Sequence, residues 1–326
     1  MLWTIKDAFA IGADKNEAGG GDLNHLCEGV RLKDTFSTYH PIVNLTFFCA
    51  VISFSMVFLH PVFLTISMVG AFVYAISLNG KRTLKFALIF LLPMMIIAGA
   101  VNPLFNHRGV TILRYMGDNP LTLESILYGV AIAVMFGAVI LWFSCVNVIM
   151  TSDKLMYLFG RLMPSLSMIF AMVLRFVPKF KAQVRLISNS QKCIGRDISD
   201  GTLRERARHG IKILSVMISW ALENAIDTAD SMRSRGYGLP GRSSFAIYRF
   251  DSRDRIALIY LASLILIVLL GGMAGENNIQ YFPSISTGTV TIFSLTIFTG
   301  YALLCFAPVI INVWEAIKWR RLQSKI

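Results

Sequence analysis

The sequence has few charged residues for its length. Only 15% of its 326 residues are charged, whereas soluble domains average roughly 25%, and 55% are hydrophobic. The mean hydropathy of +0.61 likewise excludes an ordinary soluble domain and predicts an integral membrane protein. The net charge is nevertheless +12, and in a membrane protein such an excess lies mainly in cytoplasmic loops. A nucleic-acid-binding protein would carry this charge on a soluble module. Because no such module is recognisable, nucleic acid is not an expected partner.

The sequence also lacks the usual patterns of metal, nucleotide and catalytic sites. Its five cysteines and five histidines are scattered, with no C-x-x-C pair and no metal-ligand spacing. It has no G-x-x-x-x-G-K-[ST] loop, and the G-x-G-x-x-G match at 236–241 follows a predicted helix and contains Pro240. No Ser/His/Asp or Cys/His set stands out. We therefore expect no catalytic residue, no metal site and no cofactor bound by this chain.

Long apolar runs are abundant. A transmembrane helix needs about 20 mostly apolar residues, and the candidate runs are 42–59, 61–78, 84–101, 123–149, 256–273 and 288–312. Lys and Arg are concentrated in 81–85, in 150–255 and at the C-terminus, and they are absent from 274–287. The apolar runs predict an all-α polytopic membrane protein with about six transmembrane helices. Because cytoplasmic loops carry the excess of Lys and Arg, the charge distribution predicts that both termini are in the cytoplasm.

This pattern divides the chain into four regions. Residues 1–37 are predicted to form a polar cytoplasmic extension, and residues 38–150 the first four spans. Residues 151–255 form a basic insert at the interface and in the cytoplasm, and 256–326 hold the last two spans and a basic C-terminus. Within the insert, 155–177 is apolar but contains two arginines and a proline. We expect a helix that lies at the membrane interface, with its arginines reaching water.

The rest of the insert predicts two helices. The first runs to about Lys192 and breaks at Gly195, and the second runs from about 203 to 235. Gly236 suits a left-handed residue just past a helix end, and Pro240 prevents continuation. Apolar residues of the second helix recur at steps of three and four beside a polar stripe, which predicts one buried face. These apolar residues are Leu214, Ile218, Leu222, Ala225, Ala229 and Met232.

Two other functions remain open at this point. Asn224, Asp227 and Asp230 have the spacing N-x-x-D-x-x-D, which can hold a magnesium–diphosphate in a membrane enzyme acting on prenyl or lipid diphosphates. Such an enzyme needs a second acidic cluster on a facing helix, and none is found. An acidic stripe in water, paired with arginines such as Arg233, is therefore favoured. The other alternative is a conventional permease, but intramembrane charges usually mark transport paths and the six runs contain almost none.

Several motifs in this chain resemble those of the transmembrane T component of energy-coupling factor (ECF) importers. They cover roughly residues 38–240 and are His40-Pro41, Leu174-Arg175-Phe176-Val177-Pro178, the stretch from Asn189 to Gly195, and the stretch from Ser231 to Tyr237. The last one keeps the family's Arg-Gly pair at Arg235-Gly236. The third departs from the family pattern, because Cys193-Ile194-Gly195 lacks the arginine and Arg196 stands one place later.

The resemblance implies a non-catalytic transporter subunit in the cell membrane of a prokaryote. In this family, two cytoplasmic coupling helices between the fourth and fifth spans dock onto two ABC-type ATPase subunits, which bind ATP and Mg²⁺. The membrane helices hold a small substrate-binding S component for a vitamin or a transition-metal ion. The implied site residues are Arg233, Ser234, Arg235 and Gly236 in one coupling motif, Gln191, Cys193, Ile194, Gly195 and Arg196 in the degenerate other, and Arg175 and Pro178 as coupling-helix support. The substrate, and whether the two ATPases are identical, stay open.

Overall fold

The chain is almost entirely helical in a computed structural model, which describes residues 34–106, 109–116, 119–162, 164–195, 202–237, 239, 248–275, 279–287 and 291–323. Within these residues the helices are α1 (Pro41–Val57), α2 (Pro61–Asn79), α3 (Lys81–Phe105), α4 (Leu123–Ile149), α5 (Ser152–Leu162), α6 (Pro164–Cys193), α7 (Leu203–Ser234), α8 (Ser252–Met273) and α9 (Ile292–Gln323). The antiparallel hairpin β1 (Ile112–Met116) with β2 (Asn119–Thr122) precedes α4. A second hairpin, β3 (Ile279–Gln280) with β4 (Ser286–Thr287), precedes α9. The predicted all-α polytopic membrane fold is confirmed.

Five helices, α2, α3, α4, α8 and α9, are long and apolar enough to cross a membrane. They overlap the second to sixth apolar runs of the sequence. Helix α1 is a shorter apolar helix of 17 residues. At 1.5 Å per residue it measures about 26 Å, a little less than the roughly 30 Å hydrocarbon core of a bilayer. The protein is therefore a multi-pass membrane protein, and its described residues include five helices of spanning length and one shorter apolar helix.

The region 155–177 differs from its predicted form. It is divided between α5 and α6, and α6 continues through Pro178 for 30 residues. A proline withdraws the helical hydrogen bond to the carbonyl four residues earlier, here that of Leu174. Leu174 and Pro178 are both exposed, so neither lies in the core of the bundle, and the helix continues through the proline.

Helix α1 lies at the centre of the bundle, where it contacts α2, α4, α5, α8 and α9. Its buried Phe47 and Phe48 pack edge-on against Trp142 of α4, with ring centroids 5.7 Å and 6.3 Å away. Outside α1, α4 packs on α2 and α3, while α9 packs on α2 and α8. Because buried aromatic rings contribute most of the apolar area of such a core, the bundle is organised around α1.

Hydrogen-bonded side chains cross this core. Ser55 Oγ lies 2.6 Å from Ser67 Oγ and 3.1 Å from Tyr301 OH, and Trp142 Nε1 donates to Ser67 Oγ at 3.0 Å. The four residues come from α1, α2, α9 and α4, and all are buried. Interhelical hydrogen bonds contribute about 0.6 kcal/mol each in membrane proteins. This cluster therefore fixes the alignment of four helices at a modest gain in stability.

The residues just before α1 pack against the bundle. Phe36 is fully buried, and Asn312 Oδ1 on α9 accepts hydrogen bonds from the backbone N–H groups of Phe36 (3.1 Å) and of the preceding residue (2.9 Å). Asn312 Nδ2 donates to Asp34 Oδ1 at 2.7 Å. Residues 34–37 therefore pack against the bundle. The rest of the predicted extension over 1–37 lies outside the described residues, and that extension stays a prediction. We refer to residues 34–40 as the anchor segment.

Candidate partner-docking site

The insert forms a helical hairpin, α6 and α7, with a small hydrophobic core of its own. Ile187 of α6 is buried with Ile213 and Met217 of α7, and Phe180 and Trp220 pack against them. This cluster is separate from the aromatic core around α1. The two long helices are thus held to each other independently of the membrane bundle.

A polar contact adds to this packing. Lys179 Nζ of α6 donates to Asn224 Oδ1 of α7 at 2.7 Å and lies 5.3 Å from the centroid of the Trp220 ring. Exposed cation–π contacts contribute roughly 0.5–1 kcal/mol. The amide oxygen of Asn224, a candidate magnesium ligand in the sequence, is therefore already bound by an ammonium group.

The start of α7 is fixed by a capping box. The backbone N–H of Thr202 donates to Glu205 Oε2 at 2.9 Å, and the backbone N–H of Glu205 donates back to Thr202 Oγ1 at 3.5 Å. The hydrogen bond from the Thr202 backbone lowers the pKa of Glu205. Reciprocal bonds of this kind satisfy donors that a helix end leaves free, so α7 begins at Leu203, as the sequence predicts.

The end of α7 is fixed by Gly236. This residue has a φ of +79°, and its N–H donates to the carbonyl of Arg233 at 3.0 Å. The N–H of Tyr237 donates to the carbonyl of Met232 at 3.0 Å, which completes a Schellman motif. A Cβ at Gly236 would lie 3.1 Å from Leu239 Cδ1. Because L-residues rarely adopt this φ, the position favours glycine.

This cap places Arg235 at the exposed tip of α7. Arg235 is the C-cap residue, with φ −84° and ψ 8°. In the part of the chain that the structure describes, its guanidinium makes no hydrogen bond or ion pair. Ser234 and Arg233 are also exposed, and Ser234 Oγ donates back to the carbonyl of Ser231 at 2.8 Å. The tip therefore offers the five N–H donors of one guanidinium to an external acceptor.

Helix α6 also ends at a glycine with a positive φ. Gly195 has a φ of +74°, and its N–H donates to the carbonyl of Lys192 at 3.0 Å. The equivalent bond in α7 runs from Gly236. Aligning the two glycines places Ile194 at the position of Arg235, and Ile194 is 67% exposed. The two tips thus share a left-handed glycine with the same backbone hydrogen bond, but they present different side chains.

The other residues of the degenerate motif surround this tip. Gln191 is half-buried and its carbonyl accepts from the N–H of Ile194 at 3.2 Å, while Cys193 is an exposed free thiol. Arg196 lies outside the described residues. Arg175 and Pro178 are exposed on the middle of α6, and Pro178 lies about 22 Å from Cys193 along the helix. The structure does not bring these two residues to the tip, and their supporting role stays a prediction.

Helix α7 leaves an apolar face exposed. The predicted stripe at Leu214, Ile218 and Leu222 is 58%, 52% and 62% exposed, while Ile213 and Met217 are the positions that pack on α6. The stripe predicted to be buried is therefore not the packed one, because α7 has a second apolar set offset by one residue. Large exposed apolar faces mark surfaces that contact a partner or a membrane.

The acidic residues of α7 do not form a metal cluster with other described side chains. Asp227 and Asp230 are exposed, and among the described residues neither is paired with Arg233. In the same residues no group of three or more His, Cys, Asp or Glu side chains is placed to hold a metal ion. The predicted pairing with Arg233 is not formed, and the two carboxylates face the solvent.

The start of the insert is tied to the anchor segment. Lys154 Nζ on α5 donates to the carbonyl of Ser37 at 2.5 Å, and Tyr157 OH lies 3.2 Å from His40 Nε2. Lys154 is only 5% exposed. The amide oxygen of Asn44, in the side-chain orientation that satisfies its hydrogen bonds, accepts from Lys154 Nζ at 2.8 Å. Burial lowers the pKa of Lys154, and the nearby carboxylate of Asp34 opposes that shift.

The end of the insert is tied to the same segment. Asp254 Oδ1 at the start of α8 accepts from the backbone N–H of His40 at 3.1 Å. The Arg253 guanidinium lies 4.4 Å from the centroid of the Tyr39 ring and 3.7 Å from Glu315 of α9. The chain therefore enters and leaves the insert against one short stretch of backbone. Sequence reasoning missed this junction, because a single lysine in an amphipathic helix gives no sign that it is buried.

A family model matches the chain over residues 35–245, nearly two thirds of its length. The family is CbiQ, described as "Cobalt transport protein". The match begins in the anchor segment and continues past the tip of α7, so it includes α1 to α7 and both glycine-capped helix ends.

Curated relatives carry the name "Energy-coupling factor transporter transmembrane protein EcfT". The Lactobacillus helveticus protein is 34% identical over 106 residues, which are 32% of this chain and 38% of that protein. The Macrococcus caseolyticus protein is 26% identical over 203 residues, 59% of this chain and 73% of its own length. The Listeria innocua protein is 26% identical over 230 residues, 66% of this chain and 86% of its own length. Because the family model covers well over half of the sequence, the chain belongs to the CbiQ cobalt-transport family.

Proposed function

We propose that this chain is the energy-coupling transmembrane subunit of an ECF-type ABC importer for a vitamin or a transition-metal ion. In this role it has no catalytic site, and its two helix tips dock onto two ABC-type ATPase subunits that bind ATP and Mg²⁺. The observation that carries the proposal is the pair of tips itself. Helices α6 and α7 each end at a glycine with a positive φ, Gly195 and Gly236, whose N–H donates to the carbonyl three residues earlier, and both tips are exposed.

The chemistry of the tips suggests how they are recognised. The Arg235 guanidinium is suited to carboxylate or carbonyl groups of one ATPase, and an arginine buried in a partner's groove is a common binding hot spot. Ile194 holds the equivalent position at the other tip and has no charge to offer. We therefore expect the ATPase surface that receives α6 to be more apolar than the one that receives α7.

The packing suggests how motion is transmitted. Because α6 and α7 share a core of their own, closure of the ATPases would move the hairpin as a rigid body. The hairpin is connected to the bundle through α5 and the start of α8, and both contact the anchor segment. The anchor segment continues directly into α1, so a displacement of the tips would reach the centre of the bundle.

A small membrane-embedded S component is the proposed third partner. The exposed apolar face of α7 at Leu214, Ile218 and Leu222 offers a surface to a hydrophobic protein at the membrane. Since the apolar spans of this chain are poor in ionisable residues, the substrate would be bound by that partner. Because Lys and Arg are enriched on the cytoplasmic side of membrane proteins, the basic insert and C-terminus support a topology with both termini in the cytoplasm of a prokaryotic cell.

The proposal is tested by purifying the tagged full-length chain from its native membrane in a mild detergent. Copurifying proteins are identified by mass spectrometry. We expect two ATPase subunits and one small, very hydrophobic membrane protein, and the third protein would define the substrate. A chain that purifies alone in a stable form, from membranes that contain such ATPases, would contradict the proposed role.

A further inference from the structure

An apolar groove of about 730 Å³ runs along the outside of the bundle. Helices α2 and α3 both pack on α4, and the groove fills the gap between them. On α3 its lining extends from Leu84 to Pro103, on α2 it includes Met68 and Phe72, and every lining residue is apolar. From Leu84 to Pro103 the helix rises about 28 Å. This length is close to the roughly 30 Å hydrocarbon core of a bilayer.

Two features of α3 shape the groove. A π-helical turn at Ala87–Leu91 shifts the register of the helix, and such turns are frequent at functional sites. Farther along, α3 approaches α4 closely, since a Cβ on Gly129 would lie 2.5 Å from the carbonyl oxygen of Gly99. Small residues permit this approach. Helix α3 is therefore held against α4 and leaves a gap toward α2.

Three basic residues stand at one end of the groove. Lys81, Arg82 and Lys85 are exposed, and within the described part of the chain none of them makes a hydrogen bond or an ion pair. Residues three and four apart share a helix face, so Lys81 and Lys85 lie beside the lining residues Leu84 and Leu88. A ligand complementary to this arrangement has an anionic group at one end and a long apolar chain.

The size of the groove argues against a helix from a partner protein as its occupant. A helix is 10–12 Å across with its side chains, so a 28 Å length occupies at least about 2,200 Å³. A partner helix would therefore lie over the groove rather than within it, whereas a single acyl chain is narrow enough to lie inside. The exposed Lys81, Arg82 and Lys85 at its end favour an anionic head group.

We propose that this groove binds an anionic phospholipid, with its phosphate at Lys81, Arg82 and Lys85 and an acyl chain against Leu84 and Leu88. The proposal does not depend on the transport role, because it rests only on the groove and its basic end. Each basic residue near an anionic lipid head group changes affinity by about fivefold, so the three together account for about a hundredfold.

The head-group contact is tested by native mass spectrometry of the full-length chain in detergent. The protein is titrated with palmitoyl-oleoyl phosphatidylglycerol and, separately, with phosphatidylcholine carrying the same chains. We expect phosphatidylglycerol to bind more tightly, and a variant with Lys81, Arg82 and Lys85 changed to Gln to lose that preference. The matched control changes Lys318, Arg320 and Arg321 to Gln at the end of α9, and it should keep the preference. Equal binding of both lipids to the unmodified chain would overturn the proposal.

The chain contact is tested by filling the groove. Leu88 lines the groove and its neighbour Ile89 does not, although they are 67% and 62% exposed. Leu88→Trp should weaken binding of both lipids, and Ile89→Trp should leave both unchanged. Because both side chains are exposed, neither variant should impair folding, which the melting temperature of each checks. Unaltered lipid binding by Leu88→Trp would refute the assignment of the groove to a lipid. The assignment would also be refuted if Leu88→Trp still bound both lipids but no longer copurified with a membrane protein that the unmodified chain retains.

Discussion

The variant Arg235→Glu should weaken the docking of an ATPase subunit while leaving the chain able to fold. The guanidinium is exposed at the C-cap of α7, and in the described residues it has no partner within the chain. Its contribution to folding is then limited to the favourable position of a cation at a helix C-terminus, which is worth about 0.3–1 kcal/mol. We expect the variant to fold, with the free energy of unfolding lowered by about 1 kcal/mol.

The effect on docking should be larger. An arginine that acts as a hot spot contributes at least about 2 kcal/mol to binding, which is roughly a 30-fold change in Kd. Reversing the charge in front of acidic groups of an ATPase adds repulsion. Arg235→Lys keeps the charge but loses the planar fork that binds a carboxylate with two hydrogen bonds, so its affinity should fall between those of the wild type and the glutamate variant.

The assay measures the affinity of the copurified ATPase subunits for the chain in lipid nanodiscs, at one fixed salt concentration because salt screens such contacts. Lys212→Glu is the control, since it makes the same charge change on an exposed residue of the same helix, about 34 Å away. The control should bind like the wild type. If Arg235→Glu also stays within about threefold of the wild type, the scatter of a neutral surface change, the docking role assigned to this residue is refuted.

Three further changes test other parts of the structure. Lys154→Met keeps a side chain of similar length but removes the donor to the buried amide oxygen of Asn44 and to the partly buried carbonyl of Ser37. Thermal unfolding in detergent should show a loss of about 1–3 kcal/mol, and an unchanged melting temperature would contradict the structural role of this contact. Ile218→Glu, on the exposed apolar face of α7, should release the small membrane partner and retain the ATPases in a pull-down. Ser219→Glu, on the neighbouring polar flank, should retain all partners. If the two variants behaved alike, the apolar face would not be the binding surface for that partner. Changing Asp227 and Asp230 together to Asn should leave assembly and uptake near wild-type values, and complete loss of function in an assembled complex would favour the diphosphate-enzyme alternative.

The membrane helices could be predicted well from sequence, because lipid leaves the backbone no alternative to internal hydrogen bonding. An apolar run such as 123–149 must form a helix if it crosses a bilayer, and α4 spans these same residues. The ends of α6 and α7 could also be predicted from the sequence. Gly195 and Gly236 follow polar helices directly, and a glycine there adopts the left-handed conformation at little steric cost.

The packing of α7 could not be predicted, because its sequence contains two apolar sets one residue apart. The set with Leu214 and Ile218 has the longer repeat, but the set with Ile213 and Met217 is the one opposite Ile187 of α6. Periodicity shows that a helix has an apolar face, and only the partner helix decides which face is covered. The anchor segment is a stronger case, since Asn312 contacts residues more than 270 positions earlier and no local pattern reports such a contact.

Under the coupling role proposed above, the anchor segment determines which helices a movement of the insert would reach. If the insert were connected to the bundle only by the covalent chain at α5 and α8, a movement of α6 and α7 would act mainly on those two helices. Both connections instead make hydrogen bonds to residues 34–40, and this segment leads into α1, which contacts five other helices. Force applied at Arg235 would therefore be delivered to a helix that contacts five others. It follows that breaking the Lys154 contact should weaken coupling while the affinity for the ATPases stays unchanged, whereas Arg235→Glu should lower that affinity.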